Sequence, residues 1–265
     1  MEINIELNKI YNESNIDTMH KMNSGIIDLV VTSPPYDNLR KYNGYSFSFE
    51  EIAKELYRVL KVGGVIVWVV GDSTVDGSES GTSFKQALYF KEIGFRLHDT
   101  MIYAKTNFIP LTHNRYEQAF EYMFVFSKGK PTTFNGMKEK TFGAGQKYNL
   151  KRKGYCSTVK EGAQRRRDQD IITNEFKLRS NIFYYTLGGE RVGHPAPFPE
   201  QLAADHIISW SNEGDLVYDP FGGSGTVAKM SHILNRNWIL SEISLEYCEI
   251  SQKRLDPLIN QTKLF

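Results

Sequence analysis

Six consecutive apolar residues, Val65-Ile-Val-Trp-Val-Val70, and the nearly unbroken run Ile26-Ile-Asp-Leu-Val-Val31 constrain the fold of this chain more than any other feature. A strand with one wet face alternates apolar and polar residues. A continuous apolar run needs cover on both faces, which helices on either side of a mostly parallel sheet provide. Further strands are predicted at Leu7–Tyr11, Leu97–Tyr103, Tyr122–Phe126, Leu216–Tyr218 and Trp238–Leu240. Helices are predicted near Phe49–Leu60, Ser83–Ile93, Pro199–Trp210, Val227–Asn235 and Leu245–Leu255. This alternation reads as a doubly wound α/β fold, in which ligands bind at the carboxyl ends of the strands.

Two segments fall at such ends. Directly after the first apolar run comes Thr32-Ser-Pro-Pro-Tyr36. Two prolines can neither extend a helix nor pair as a central strand, so they hold the chain in a stiff, extended turn. Ser33 offers a hydroxyl, the backbone around Pro34 and Pro35 offers carbonyls, and Tyr36 a flat ring. Together they suit a planar group carrying an NH2. Far downstream, Leu216-Val-Tyr-Asp219 runs into Pro220-Phe-Gly-Gly-Ser-Gly-Thr226 and then a helix. A glycine-rich turn between strand and helix lets a ligand approach the backbone, and the free amides of the helix N-terminus attract negative charge. The next strand ends in Glu242, placed to hold a ribose diol.

These residues carry a resemblance. Asp219-Pro-Phe-Gly-Gly-Ser-Gly-Thr226 together with Ser33-Pro-Pro-Tyr36 resembles the S-adenosylmethionine-dependent DNA amino-methyltransferases. The catalytic motif first and the cofactor motif last match the β group, over roughly Ile10–Phe126 and Gly193–Arg254. The resemblance implies a circularly permuted, Rossmann-like sheet of seven strands, with Ser33 and Gly222 at the ends of neighbouring parallel strands. It assigns catalysis to Ser33, Pro34, Pro35 and Tyr36, and binding of S-adenosylmethionine to Asp219, Phe221, Gly222, Gly223, Ser224, Gly225, Thr226 and Glu242. His194-Pro-Ala-Pro-Phe-Pro199 matches a further piece, which in the family closes over the methionine end of the cofactor and implicates Pro197 and Phe198; Pro199 also suits the first turn of a helix. His194 receives no catalytic role, and no metal is expected. One departure is the absence of an Asp at Asn12-Glu-Ser-Asn15, where the family often meets the cofactor adenine; Glu13 or Ser14 stand nearby.

Charge is unevenly spread. From Lys138 to Arg167 ten basic residues face two acidic ones, a net +8, so the remainder of a chain of net +1 carries −7. Phe142, Tyr148 and Tyr155 are interleaved. Such a segment in isolation is a solvated basic loop; beside the resemblance it reads as an inserted DNA target-recognition region at residues 128–190, the catalytic core being 1–127 and 191–265. Lys and Arg would bind phosphates and a few side chains would read base edges. Two other stretches border the same rim. The loop Gly71–Thr82 reads either as a lid or as a polar connection, and Arg115 and Tyr116 offer a phosphate contact and a stacking ring, or a surface and a core residue.

The chemistry implied is methyl transfer to an exocyclic amine of a base swung out of double-stranded DNA. A cytosine-C5 enzyme needs an attacking cysteine, and neither Cys156 nor Cys248 lies in the Pro-Cys pair such enzymes use. Ser at the first motif position resembles the cytosine-N4 members, whereas adenine-N6 members more often carry Asp or Asn there. Cytosine N4 is therefore expected, with adenine N6 as the alternative. Outside this class, a dinucleotide-binding oxidoreductase shares the glycine-rich turn and Glu242 but leaves Thr32–Tyr36 and the basic segment unexplained. An inactive DNA-binding subunit has no support in these intact motifs. Two cysteines suggest no disulfide framework, no apolar stretch is long enough to span a bilayer, and the chain is expected in the cytoplasm. The enzyme is expected to belong to a restriction-modification system and protect DNA from a partner restriction endonuclease; a homodimer is left open.

Overall fold

The computed structural model describes residues 5–35, 48–107, 115–149, 170–186 and 199–262. Tyr36, His194, Pro197 and Phe198 lie outside the described residues. The chain divides into two compact units, Met1–Asn135 with Asn181–Phe265, and Gly136–Ser180.

The larger unit is an α/β sheet. Its strands are β1 (Lys9–Tyr11), β2 (Ile27–Thr32), β3 (Leu60–Val70), β4 (Arg96–Lys105), β5 (Phe120–Ser127), β6 (Ile182–Tyr185), β7 (Leu216–Asp219) and β8 (Asn237–Ser241), in the order β1-β8-β7-β2-β3-β5-β4-β6. Only β5 among them runs against the rest, pairing antiparallel with β3 and β4. The helices are α1 (Asn15–His20), α2 (Phe49–Val59), α3 (Thr82–Glu92), α4 (Glu200–Trp210), α5 (Thr226–Ile233) and α6 (Leu245–Thr262).

Burial follows the apolar runs. Ile66, Trp68, Phe124 and Phe126 turn one face toward Met19 of α1, Leu56 of α2 and Phe90 of α3. On the other face Trp238 and Leu240 of β8 pack with Ala228 of α5 and Leu255 of α6. Each central strand is thus covered twice, which is why its sequence is continuously apolar.

The sheet has eight strands where seven were expected. The additional strand, β6, lies within the stretch 128–190 read as an insertion, yet it pairs in parallel with β4, Ile182 opposite Ile102. This edge strand, Ile182-Phe-Tyr-Tyr185, buries only Phe183 and Tyr185, and its apolar run is four residues long at the end of a polar, basic stretch, so it reads as part of that stretch. Helix α6 continues past Pro257 to Thr262 because Ile259 still packs on the Trp238–Leu255 cluster. Among the described residues no helix is long and apolar enough to cross a membrane.

In the smaller unit the described residues form two antiparallel strand pairs that follow one another. Lys138–Lys140 pairs with Phe176–Leu178, and Lys147–Asn149 with Asp170–Ile172. Between the two pairings Thr141 N–H donates to the Glu175 carbonyl (2.8 Å) and Gly145 N–H to the Thr173 carbonyl (3.0 Å).

β3 enters the sheet through Gly64, where space is absent for any side chain. A Cβ at Gly64 would lie 2.9 Å from the Asp28 carbonyl oxygen and 3.0 Å from that of Lys61, both backbone atoms of a packed region. Gly64→Ala is expected to destabilise the larger unit by about 1–3 kcal/mol, read as a lower urea midpoint with an unchanged slope. An unaltered midpoint would show that this approach does not constrain β3.

Candidate active site

β2 and β7 lie side by side in parallel, with Val217 opposite Leu29 and Tyr218 opposite Val30. Their carboxyl ends therefore coincide, and the two motifs leave the sheet together. Thr32, the last residue of β2, donates its hydroxyl to Asp219 Oδ1 across the strands at 2.7 Å. Both side chains are buried. Ser33, Pro34 and Pro35 follow immediately, Pro34 buried and its neighbours half-buried.

The glycine-rich turn leaves β7 over the same rim. Asp219 Oδ1 also accepts from the Phe221 N–H at 3.0 Å, so one carboxylate oxygen fixes the start of the turn and the end of β2 at once. Asn15 Nδ2 donates to the Pro220 carbonyl (3.1 Å) and the Gly222 N–H to the Ser241 carbonyl (2.9 Å). Gly222 has no room for a side chain, since a Cβ there would sit 2.1 Å from Leu240 Cδ2. Gly225 has φ of 76° and caps α5 in the left-handed conformation, which glycine adopts without steric cost. Phe221 sets its ring edge-on to Trp68, centroids 6.2 Å apart.

Glu242 stands at the carboxyl end of β8. Its Oε2 accepts from the Gly223 N–H and its Oε1 from the Ser244 N–H, each at 2.8 Å. Burial raises its carboxyl above the ordinary range, and the bonds from Ser244 and Gly223 oppose that rise. Each oxygen keeps a further lone pair for an incoming donor.

Around the expected departure at residues 12–15, Asn12 Nδ2 donates to the carbonyls of Glu242 (3.0 Å) and Ile243 (3.1 Å). Ser14 caps α1 by accepting from the Asp17 N–H at 3.1 Å, while Glu13 accepts from the Thr18 hydroxyl at 3.0 Å and pairs with Lys21. In the loop after β3, Asp72 is buried and accepts from the Ser83 N–H (2.9 Å), the Ser83 hydroxyl and the Ser80 hydroxyl (3.1 Å). It ties the rim to the start of α3. Arg115, read either as a phosphate contact or as a surface residue, donates to the Gly77 carbonyl at 2.6 Å within this loop, and Tyr116 is fully exposed, which corrects its reading as a core residue.

Sequence reasoning gave no role to the residues that hold the glycine-rich turn from behind. Ser251 and Arg254, one turn apart on α6, bond the carbonyls of Gly223 and Ser224, and Arg254 also reaches Glu200. Their three-residue spacing is ordinary for a helix face and carries no signal of its own.

Residues 27–253 match the DNA methylase family. The orphan methyltransferase M.BamHII of Bacillus amyloliquefaciens is 56% identical over 238 residues, covering 86% of this chain and 88% of its own. The type II methyltransferase M.HpaI of Haemophilus parainfluenzae is 30% identical over 257 residues, 92% of this chain and 73% of its own. Among solved structures, the PvuII DNA methyltransferase (cytosine-N4-specific) superposes with a TM-score of 0.67 at 19% identity, over 96% of this chain and 90% of that one. The M1.HpyAVI–SAM complex superposes with 0.65 at 23% identity, over 94% and 98%. These superpositions establish a Rossmann-like methyltransferase fold. The chain belongs to the DNA methylase family, of the kind that acts on N6 or N4 amines with S-adenosylmethionine as cofactor.

The residues present suit that cofactor. Glu242 is an acceptor-only carboxylate at a strand end, as a ribose diol requires. The N-terminus of α5 behind the glycine turn suits a carboxylate, such as that of the methionine moiety.

Asp219 makes the arrangement testable. Burial pushes its carboxyl from 3.8 up to about 7, against the bonds from Thr32 and Phe221 that favour the charged form. A folded-state pKa above the unfolded one favours the neutral acid in the fold. Its stabilisation is complete below about pH 4 and is lost as pH rises through about 7. Asp219→Asn, neutral throughout, should lack this slope: between pH 4.5 and 8 the wild-type unfolding free energy should fall by roughly 1–4 kcal/mol relative to the variant. Parallel pH profiles in urea unfolding would contradict it.

Proposed function

We propose that this DNA methyltransferase transfers a methyl group to the exocyclic N4 of a cytosine displaced from double-stranded DNA. The observation that carries the reading is the shared exit of Ser33 and the glycine-rich turn from β2 and β7, locked by the Thr32–Asp219 bond. S-adenosylmethionine, when bound, supplies an activated methyl on a sulfonium. Every other task falls to the chain.

An exocyclic amine is a weak nucleophile because its lone pair is delocalised into the ring. Acceptors from Ser33 and the Pro34 carbonyl hold its hydrogens and turn the lone pair toward the methyl donor. Pro35 stiffens the turn, so these acceptors are already oriented and little is lost in ordering them. Tyr36, next in the chain, supplies a stacking face for the displaced base. Reaction needs the amine about 3 to 3.5 Å from the methyl carbon and in line with the bond that breaks. The neutral hydroxyl of Ser33, in place of a carboxylate, supports cytosine N4 over adenine N6.

On the cofactor side, Glu242 would take the ribose hydroxyls, Gly222 to Thr226 the close backbone approach, and Phe221 an apolar wall, with Asp219 fixing the turn. Pro197 and Phe198 would close over the methionine end. The unit Gly136–Ser180, with the basic residues 150–169 of the chain between its paired strands, is assigned to target recognition. A two-stranded ribbon fits the major groove, where base edges are distinguishable. M.HpaI is designated a type II methyltransferase and M.BamHII an orphan. The second designation favours a chain that works without a nuclease partner, the first a modification role beside one.

The test is methylation of mixed-sequence duplex DNA with labelled S-adenosylmethionine, followed by digestion to nucleosides. N4-methylcytosine is the expected product; N6-methyladenine would overturn the base assignment while leaving the fold and the donor in place. With the same assay, Ser33→Ala should lower the turnover number about 100-fold and leave S-adenosylmethionine affinity within about twofold of wild type. Loss of both in equal measure would remove Ser33 from the chemistry.

A further inference from the structure

The turn that follows β7 is shaped from its far side. On α6, Ser251 donates its hydroxyl to the Gly223 carbonyl at 2.7 Å. One turn on, Arg254 Nη1 donates to the Ser224 carbonyl, to Ser224 Oγ (3.1 Å) and to Thr226 Oγ1 (3.2 Å). Two successive peptide carbonyls are thereby drawn toward α6. In a trans peptide the N–H points opposite to the C=O, so the amide of Ser224 is directed away from α6, while that of Gly225 closes the turn on the Gly222 carbonyl at 2.8 Å.

Arg254 is itself anchored. Its Nη2 donates to Glu200 Oε1 at 2.6 Å, and Lys229 of α5 donates to the same oxygen at 2.6 Å. The arginine side chain is 13% exposed and that of Glu200 41%, so the pair is screened from the glutamate side while the guanidinium itself is held among fixed acceptors. Glu200 opens α4, directly after Pro199 and the proline-rich segment. Although burial pushes the Glu200 carboxyl upward, the bond from Lys229 and the charges of Lys229 and Arg254 outweigh it and hold the group ionised. One guanidinium therefore spans the turn, α6 and the first residue of α4. A fixed planar fork can do this, whereas the point charge of a lysine cannot serve all four acceptors at once.

We propose that Arg254, with Glu200 as its counter-ion, is a positioning residue that sets the conformation of the Ser224–Thr226 turn and thereby the affinity for the methyl donor, without touching it. The inference rests on the reading of that turn as the cofactor turn.

The test uses the full chain, with calorimetric S-adenosylmethionine binding beside steady-state methylation of duplex DNA. Arg254→Lys should raise both Kd and KM for S-adenosylmethionine about tenfold, the scale of a lost charge-assisted hydrogen bond. Turnover at saturating donor and KM for DNA should stay within about twofold of wild type. Glu200→Gln, nearly isosteric, should shift donor affinity in the same sense by less. Guanidinium ion added to Arg254→Ala should restore part of the lost donor affinity. Unchanged donor affinity in folded Arg254→Lys, or a fall in turnover with donor affinity intact, overturns the proposal. If Arg254→Lys fails to fold, unchanged donor affinity in Glu200→Gln overturns it. A wild-type chain that binds no S-adenosylmethionine removes the cofactor reading itself, an outcome distinct from variants that match wild type.

Discussion

The 2.7 Å hydrogen bond between Thr32 and Asp219 joins residues 187 positions apart, and the proposed active site depends on those positions meeting. Neither motif is useful alone. A stiff proline turn can orient acceptors but has nothing to supply a methyl group, and a glycine-rich turn can hold a cofactor but offers no amine. Parallel pairing of β2 with β7 brings them to one rim, and the Thr32–Asp219 bond sets the register at that rim to within a side chain's reach. Burying this pair costs solvation, which the Asp219 carboxyl registers as a pKa pushed up to about 7. The fold accepts that cost, and Asp219 uses the same oxygen to start the glycine-rich turn at Phe221.

Around this bond the supports are layered by direction. From the sheet side, Leu240 leaves Gly222 no room for a side chain, and the Ser241 carbonyl accepts from its N–H. Laterally, Glu242 accepts from the Gly223 N–H. From α6, Ser251 and Arg254 pull on the next two carbonyls. The turn is thus fixed on three sides before a ligand arrives, which lowers the ordering entropy that binding would otherwise cost. Ser33 is fixed differently, by the conformational poverty of the two prolines after it.

Much of this was legible in the sequence because the signals were local and chemically unusual. Val65–Val70 could only be a doubly covered strand, and it is the carboxyl-terminal half of β3; Asp219–Thr226 could only be a strand, a tight turn and a helix start. β6 was not read as a strand because its run Ile182-Phe-Tyr-Tyr185 is only four residues long, buries only Phe183 and Tyr185, and closes a long polar and basic stretch. Helix α1 escaped because six residues are too few for a period; its one cue was Ser14 three residues before Asp17, the cap that the structure uses. Arg254 was illegible for a deeper reason. Its acceptors come from Ser224, Thr226 and Glu200, and only the packing of α4, α5 and α6 brings them to one guanidinium. Long-range polar nodes of this kind leave no periodicity, no composition bias and no turn chemistry behind.

The central claim is that the catalytic and cofactor motifs act as one unit through Thr32 and Asp219. A double-mutant cycle with Thr32→Val, Asp219→Asn and the pair tests it most directly, scored on kcat/KM for S-adenosylmethionine with duplex DNA. The account predicts that the double variant loses little more than the worse single variant, a coupling of about 1–2 kcal/mol. Losses that simply add would show that the two motifs contribute independently and would contradict it.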